Sequence, residues 1–182
     1  MKTTITGMKL IALLLFSPVV FAEGLVGSTG HGLSDAQVES LKSDISDAKA
    51  QFPSHFQAVS KIVSNANKLD AGKRGRMVPF EAMFKRLGES AHMALLEMVL
   101  FDGPTQGDLK DDAWFALRSG IIEAAGRSRD IRLIPALEAY LHGPETEFYA
   151  IRAATEALGK VGTDAAVGAL LGAVDASPLK KG

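Results

Sequence analysis

The chain states one pattern twice. Shifting the sequence by 33 residues lays Ile121 on Ala154, Glu123 on Glu156, Ala124 on Ala157, Gly126 on Gly159, Ile134 on Val167, Ala136 on Ala169, Leu137 on Leu170 and Leu141 on Val174. The same shift carries Asp130 onto Thr163, two residues of the types that cap helix N-termini. Each copy reads as a helix, a glycine stop, a short turn, a capped second helix and a breaker, "HGPE" after the first and "DASP" after the second. Gly126 and Gly159 fall where a helix end favours a residue tolerant of the left-handed conformation. A degenerate third copy, "RMVPFEAMFKRLGESAHMALLEMVLFDGP", puts Gly88 38 residues before Gly126 and sets Leu96 and Val99 opposite Ile134 and Leu137. One two-helix unit has a hydrophobic face that it cannot bury alone, stacking a neighbour buries it, and three units meet the minimum for a stable array.

Ahead of the repeats, "LSDAQVESLKSDISDAKAQFP" offers Ser34 as an N-cap and one apolar stripe through Val38, Leu41, Ile45, Ala48 and Phe52, ended by Pro53. Phe56, Val59, Ile62, Val63, Ala66 and Leu69 continue as a second stripe. The spacing predicts a helical hairpin over residues 34–70, repeats over 71–175 and a tail over 176–182. Between them, Lys68, Lys73, Arg74, Arg76, Lys85 and Arg86 face only Asp70 and Glu81, so the "AGKRGR" connector is locally basic. It reads either as a solvated linker or as a dock for an anionic partner such as a lipid head group.

"IRAATEALGKVGTDAAVGALL" resembles the short bacterial HEAT-like repeat of the phycobilisome lyase type, in which a helix ending in Ala-Leu-Gly is followed by a Gly-Asp turn and an Ala-Val-Pro-Ala-Leu-Leu helix. The preceding copy supplies that pattern's proline at Pro135 and its aspartate at Asp130. The resemblance covers Asp111 to Asp175 well and Arg76 to Pro104 weakly. It implies an all-α fold: an α-solenoid of about three HEAT-like helix pairs preceded by the N-terminal hairpin. It also implies a surface for proteins, with lyase subunits and metal enzymes as minority roles in such repeats. The His-Glu pairs of the iron-dependent hydroxylase branch do not occur here.

Residues 1–22 read as a secretory signal peptide: Lys2 and Lys9 without an acid, the short apolar run Leu10 to Phe16, then Val20 and Ala22 at small-residue cleavage positions. The apolar run stops well short of the ~20 residues of a membrane span. Without cysteine, the residue after the cut cannot be lipidated, so the expected product is periplasmic or secreted, with a flexible glycine-rich leader over 23–33. Losing Lys2 and Lys9 takes the net charge from −1 to −3, which argues against a nucleic-acid partner.

No residue cluster announces a reaction, and no cofactor is expected. His31, His55, His92 and His142 stand apart with no metal-ligand spacing. Ser46 with Lys49, and Ser177 with Lys180, have an SxxK spacing but no following KTG. Asp108, Asp111 and Asp112 lack the order of a calcium loop, and Asp111 or Asp112 fits better as the N-cap of the helix holding Trp114. What remains points to binding. Arg127, Arg129 and Arg132 cluster at one turn, suited to a carboxylate-bearing partner, and Tyr140 is a candidate aromatic anchor. From Ala165 to Val174 the last helix is uncharged, whereas the end unit of a stack should be polar outside. Its Val167, Leu170, Leu171 and Val174 are therefore candidate contacts. A second copy, another envelope protein or further repeats would each cover them; a patch of Ala and Gly too small to matter is the remaining account. The functional expectation is an exported, non-catalytic protein-interaction scaffold or adaptor of the bacterial envelope. Its alternatives are an accessory subunit of an envelope enzyme and a self-assembling structural protein.

Overall fold

The computed structural model describes residues 24–25, 32–142 and 148–176. The signal segment with its cut near Ala22, His31, the "GPE" breaker, most of the tail and its Ser177–Lys180 pair lie outside the described residues. Among the described residues the fold is all-α, without strands.

Helix α1 (Asp35–Gln51) starts at the expected cap. The Ser34 hydroxyl accepts the Gln37 backbone N–H while the Gln37 side chain accepts the Ser34 N–H, closing a capping box. Pro53 then opens α2 (Pro53–Ser64), where its missing N–H removes no helical hydrogen bond. Leu41 and Ile45 of α1 and Phe56 and Val59 of α2 are buried, and both helices pack on α5. The second stripe crosses a break at Asn65, whose side-chain amide donates to the Lys61 carbonyl, and resumes in α3 (Ala66–Ala71).

Six α-helices follow in chain order, two for each repeat of the sequence: α4 (Phe80–Lys85) and α5 (His92–Leu100), α6 (Asp111–Gly126) and α7 (Ile134–Leu141), α8 (Phe148–Val161) and α9 (Asp164–Ala176). The first helices pack in succession, α4 on α6 and α6 on α8, while α7 contacts both α8 and α9. Phe80, Phe84, Leu96, Leu117, Ile121, Leu137 and Leu158 belong to one buried cluster running through all three pairs. The repeated punctuation performs as expected at two sites: the Asp130 carboxylate accepts the Arg132 N–H and the Thr163 hydroxyl accepts the Ala166 N–H. Neither Asp111 nor Asp112 is the cap of α6. Lys110 occupies that position without a side-chain bond, and both acids lie in the first turn, where the helix dipole favours them.

The glycine stops are displaced from the expected positions. Gly126 and Gly159 are still helical, and the left-handed residues are Arg129 (φ 56°) and Gly162 (φ 67°), which preserve the 33-residue period. In the first pair it is Gly88 (φ 67°) that turns left-handed. Aligning on that residue puts the first pair 41, not 38, residues before the second, so Leu96, Leu137 and Leu170 correspond, as do the buried Leu95, Ala136 and Ala169. The reason is local: the chain leaves α6 and α8 through an extra turn after the glycine, closed on Arg129 by its N–H to the Gly126 carbonyl. Because a Cβ disfavours left-handed backbone by ~1–2 kcal/mol and Arg129 is exposed, Arg129→Gly is expected to raise stability by up to about 1 kcal/mol in urea unfolding.

The leader also departs from expectation at Gly24–Leu25. Leu25 is buried, its N–H donates to the Met98 carbonyl, and its own carbonyl accepts the Tyr140 hydroxyl and an Arg118 guanidinium N–H. A leucine able to fill a gap beside α5 and α7, with both backbone groups bonded, outweighs the tendency of a glycine-rich stretch to stay loose.

Candidate interaction surface

The three arginines do not form one cationic patch. Arg127 reaches back from the end of α6 to Glu81 on α4, with Nε 2.6 Å from its carboxylate. Arg132 grips Asp130 (Nη2 to Oδ2, 2.7 Å) and, across the fold, Asp44 of α1 (Nη1 to Oδ2, 2.8 Å). Only Arg129 extends as an exposed cation without an ion pair among the described residues. The turn therefore spends two of its three charges joining α6 to α4 and the Asp130 turn to α1. Between the first helices, Glu81, Glu123 and Glu156 are bridged by Arg127, Arg152 and Lys160. Burial, with the nearby Glu156, pushes the Glu123 carboxyl above its ordinary range against the pull of Lys160 and Arg152.

Asp130 is the most committed acid. Burial opposes its ionisation, but hydrogen bonds from His92 (Nε2 to Oδ2, 3.1 Å) and from the side chain and backbone of Arg132, with the Arg132 charge, outweigh that and hold the carboxyl well below the usual range. His92 borders a cleft of about 330 Å³ that also touches Lys85, Arg127 and Ser128. The Ser128 hydroxyl there is already bonded, donating to the Ala125 carbonyl and accepting the Asp130 N–H. The histidine thus meets a carboxylate that is tied to arginine, an arrangement that joins α5 to the following turn. His142 is exposed at the end of α7 and is not gathered with His92 in a metal-binding group; among the described residues no three His, Asp or Glu are so placed. The Lys49 amine is likewise committed, lying 3.0 Å from Glu97 and over the Phe56 ring, while Ser46 stays exposed.

Tyr140 is not a surface anchor. It is buried, with its hydroxyl on the Leu25 carbonyl and Arg118 over its ring. Sequence reading missed this because the bond spans 115 positions and joins two segments that carry no mutual signal.

The last helix bears out its uncharged appearance with real exposure, though not at every expected residue. Val167, Leu171 and Val174 are 49%, 60% and 55% exposed, whereas Leu170 turns inward and packs on the core. The repeat makes this contrast informative. Ile134, the equivalent of Val167, is only 8% exposed, and Leu137, the equivalent of Leu170, is fully buried. The same asymmetry appears on the first helices. At Gly126 an added Cβ would lie 2.6 Å from the Ala157 Cα, since α8 is seated against α6 there; at Gly159 no atom comes within 4 Å. Among the described residues, Val167 and Gly159 are therefore open where their equivalents Ile134 and Gly126 are covered.

No family model, no curated protein and no solved structure matches the chain.

Proposed function

We propose that this protein is an exported, non-catalytic interaction module of the bacterial envelope, built as a short HEAT-like α-solenoid whose α9 end pairs with a second copy of the chain. The observation that carries the reading is the exposure of Val167, Leu171 and Val174 on a helix with no charge from Ala165 to Val174, where the repeat equivalent of Val167, Ile134, is buried. Contiguous apolar surface of that kind is characteristic of contact sites. The face supplies its own complement, because the protruding Val167 and Leu171 alternate with Gly168 and Gly172, at each of which an added Cβ would meet open space. Two α9 helices related by a two-fold axis can place each leucine over the partner's glycine, the self-matching geometry of an isologous dimer. The balance of acids and bases from Ala113 to Lys160 and the engagement of Arg127 and Arg132 within the fold favour protein over nucleic acid as partner.

Light scattering on protein purified as the cell processes it tests the reading. The expected mass is that of a dimer, and Leu171→Glu is expected to give a monomer with an unchanged circular dichroism spectrum. A wild-type monomer at high micromolar concentration, or a variant that stays dimeric, would end the self-pairing proposal.

A further inference from the structure

A second surface, far in sequence from α9, combines two properties that the fold does not use. Between α2, α3 and the α4 region lies an open groove of about 620 Å³ with an apolar floor that includes Ile62, Leu69, Met83 and Leu87. All four are half-buried and sit on the core, so the floor is firm. Lys61 and Lys68 stand at its margin, both exposed, two turns apart along α2 and α3. No acid lines this groove, and among the described residues neither lysine has an ion-pair partner.

The surrounding charge has the same sign. From Lys61 to Arg86 the cations are Lys61, Lys68, Lys73, Arg74, Arg76, Lys85 and Arg86, and the acids are Asp70 and Glu81 alone. Both acids are occupied, Asp70 by Lys73 at 2.6 Å and Glu81 by Arg127 and Lys160. That leaves Lys61 and Lys68 as cations without an ion pair, among the described residues, at the margin of an apolar trough, within a segment of the chain whose charge is mostly of one sign. An apolar trough binds a hydrocarbon chain through burial of CH2 groups, and unpaired ammonium groups at its margin select a negative head. We propose that this groove binds a free single-chain amphiphile with an anionic head group, its chain on Ile62, Leu69, Met83 and Leu87 and its head between Lys61 and Lys68. The groove is open to solvent but bordered by residues of α2, α3 and the α4 region, which gives a single chain apolar contact on more than one side. This inference stands apart from pairing at α9 and shares no residue with it.

The probe is cis-parinaric acid, whose fluorescence rises on leaving water, titrated below its aggregation concentration into purified protein. Saturable one-to-one binding is expected, weakened at least about tenfold for the uncharged methyl ester and in the Lys61→Glu/Lys68→Glu variant, and weakened as salt rises. Lys85→Glu/Arg86→Glu, with the same change of net charge on exposed residues outside the groove, is expected to keep affinity within about threefold, separating a local head-group site from the general field. No saturable binding, equal affinity for acid and ester, or equal loss in both double variants would overturn the proposal. So would protein that ignores the monomeric acid yet sediments with phosphatidylglycerol vesicles, since that outcome assigns the basic face to a membrane surface.

Discussion

Replacing Gly126 by alanine is expected to lower stability by about 2 kcal/mol, while the same replacement at its repeat equivalent Gly159 raises it by up to about 1 kcal/mol. Both glycines are helical with ordinary backbone, so alanine carries the same intrinsic gain of ~1 kcal/mol at each. The difference is what the methyl meets. At Gly126 it would lie 2.6 Å from the Cα and Cβ of Ala157 and 2.9 Å from the Ala157 carbonyl oxygen. Those are largely backbone atoms of a neighbouring helix, so relief requires α8 to move away from α6 along the most extensive helix contact in the fold. At Gly159 the methyl points into open space. Urea unfolding of the two single variants gives the answer directly, and equal effects at both positions would show that α8 is not seated on α6 as described. Because the sign differs between two positions that the sequence treats as the same, the pair isolates the tertiary neighbour from helix propensity.

The second large effect is expected at Asp130. Asp130→Asn should lower stability at pH 7 by about 2 kcal/mol, by removing the ion pair to Arg132 and the bond to His92 while leaving a near-isosteric side chain. The Asp130 carboxylate is nearly buried, which makes its loss costly; Arg132 is partly exposed and keeps Asp44, which limits the cost. The pH dependence has a definite sign. An acid whose folded pKa is depressed contributes stability that is complete above its unfolded pKa of ~3.9 and is lost as pH falls toward the folded value. The difference between wild type and Asp130→Asn should therefore shrink steadily as pH falls below about 4. Urea midpoints at a series of pH values measure it. A difference that stays flat into strong acid would mean that the variant loses geometry rather than charge.

How much of this was legible beforehand varies with the range of the interaction. The capping of α1 by Ser34 and the break at Pro53 follow from residues within one turn of each other, and both fell where the sequence puts them. The two helical stripes were visible because period alone orients them, and Leu41, Ile45, Phe56 and Val59 are buried, although Phe52 at the end of the first stripe is exposed. Positions set by two or more helices were less legible. Tyr140 and Leu170 have the composition of surface anchors on an uncovered repeat, yet one is occupied by Leu25 and the other faces the core. The arginine turn read as a cationic patch because Glu81 and Asp44, which claim two of its members, are 46 and 88 positions away. Even the left-handed turn moved by three residues, since the α6 helix continues to Gly126 and the chain closes on Arg129 instead.

The sequence by itself determined the all-α character, the 33-residue spacing of equivalent residues and the uncharged last helix, because periodicity, caps and composition act over a few residues and need no partner. The tertiary structure decided which copy of each repeated position is filled. Gly126 is covered by Ala157 of α8 and Ile134 is buried, whereas among the described residues Gly159 and Val167 are open. A side chain's burial depends on what lies across from it, and two identical letters 33 residues apart cannot encode that difference.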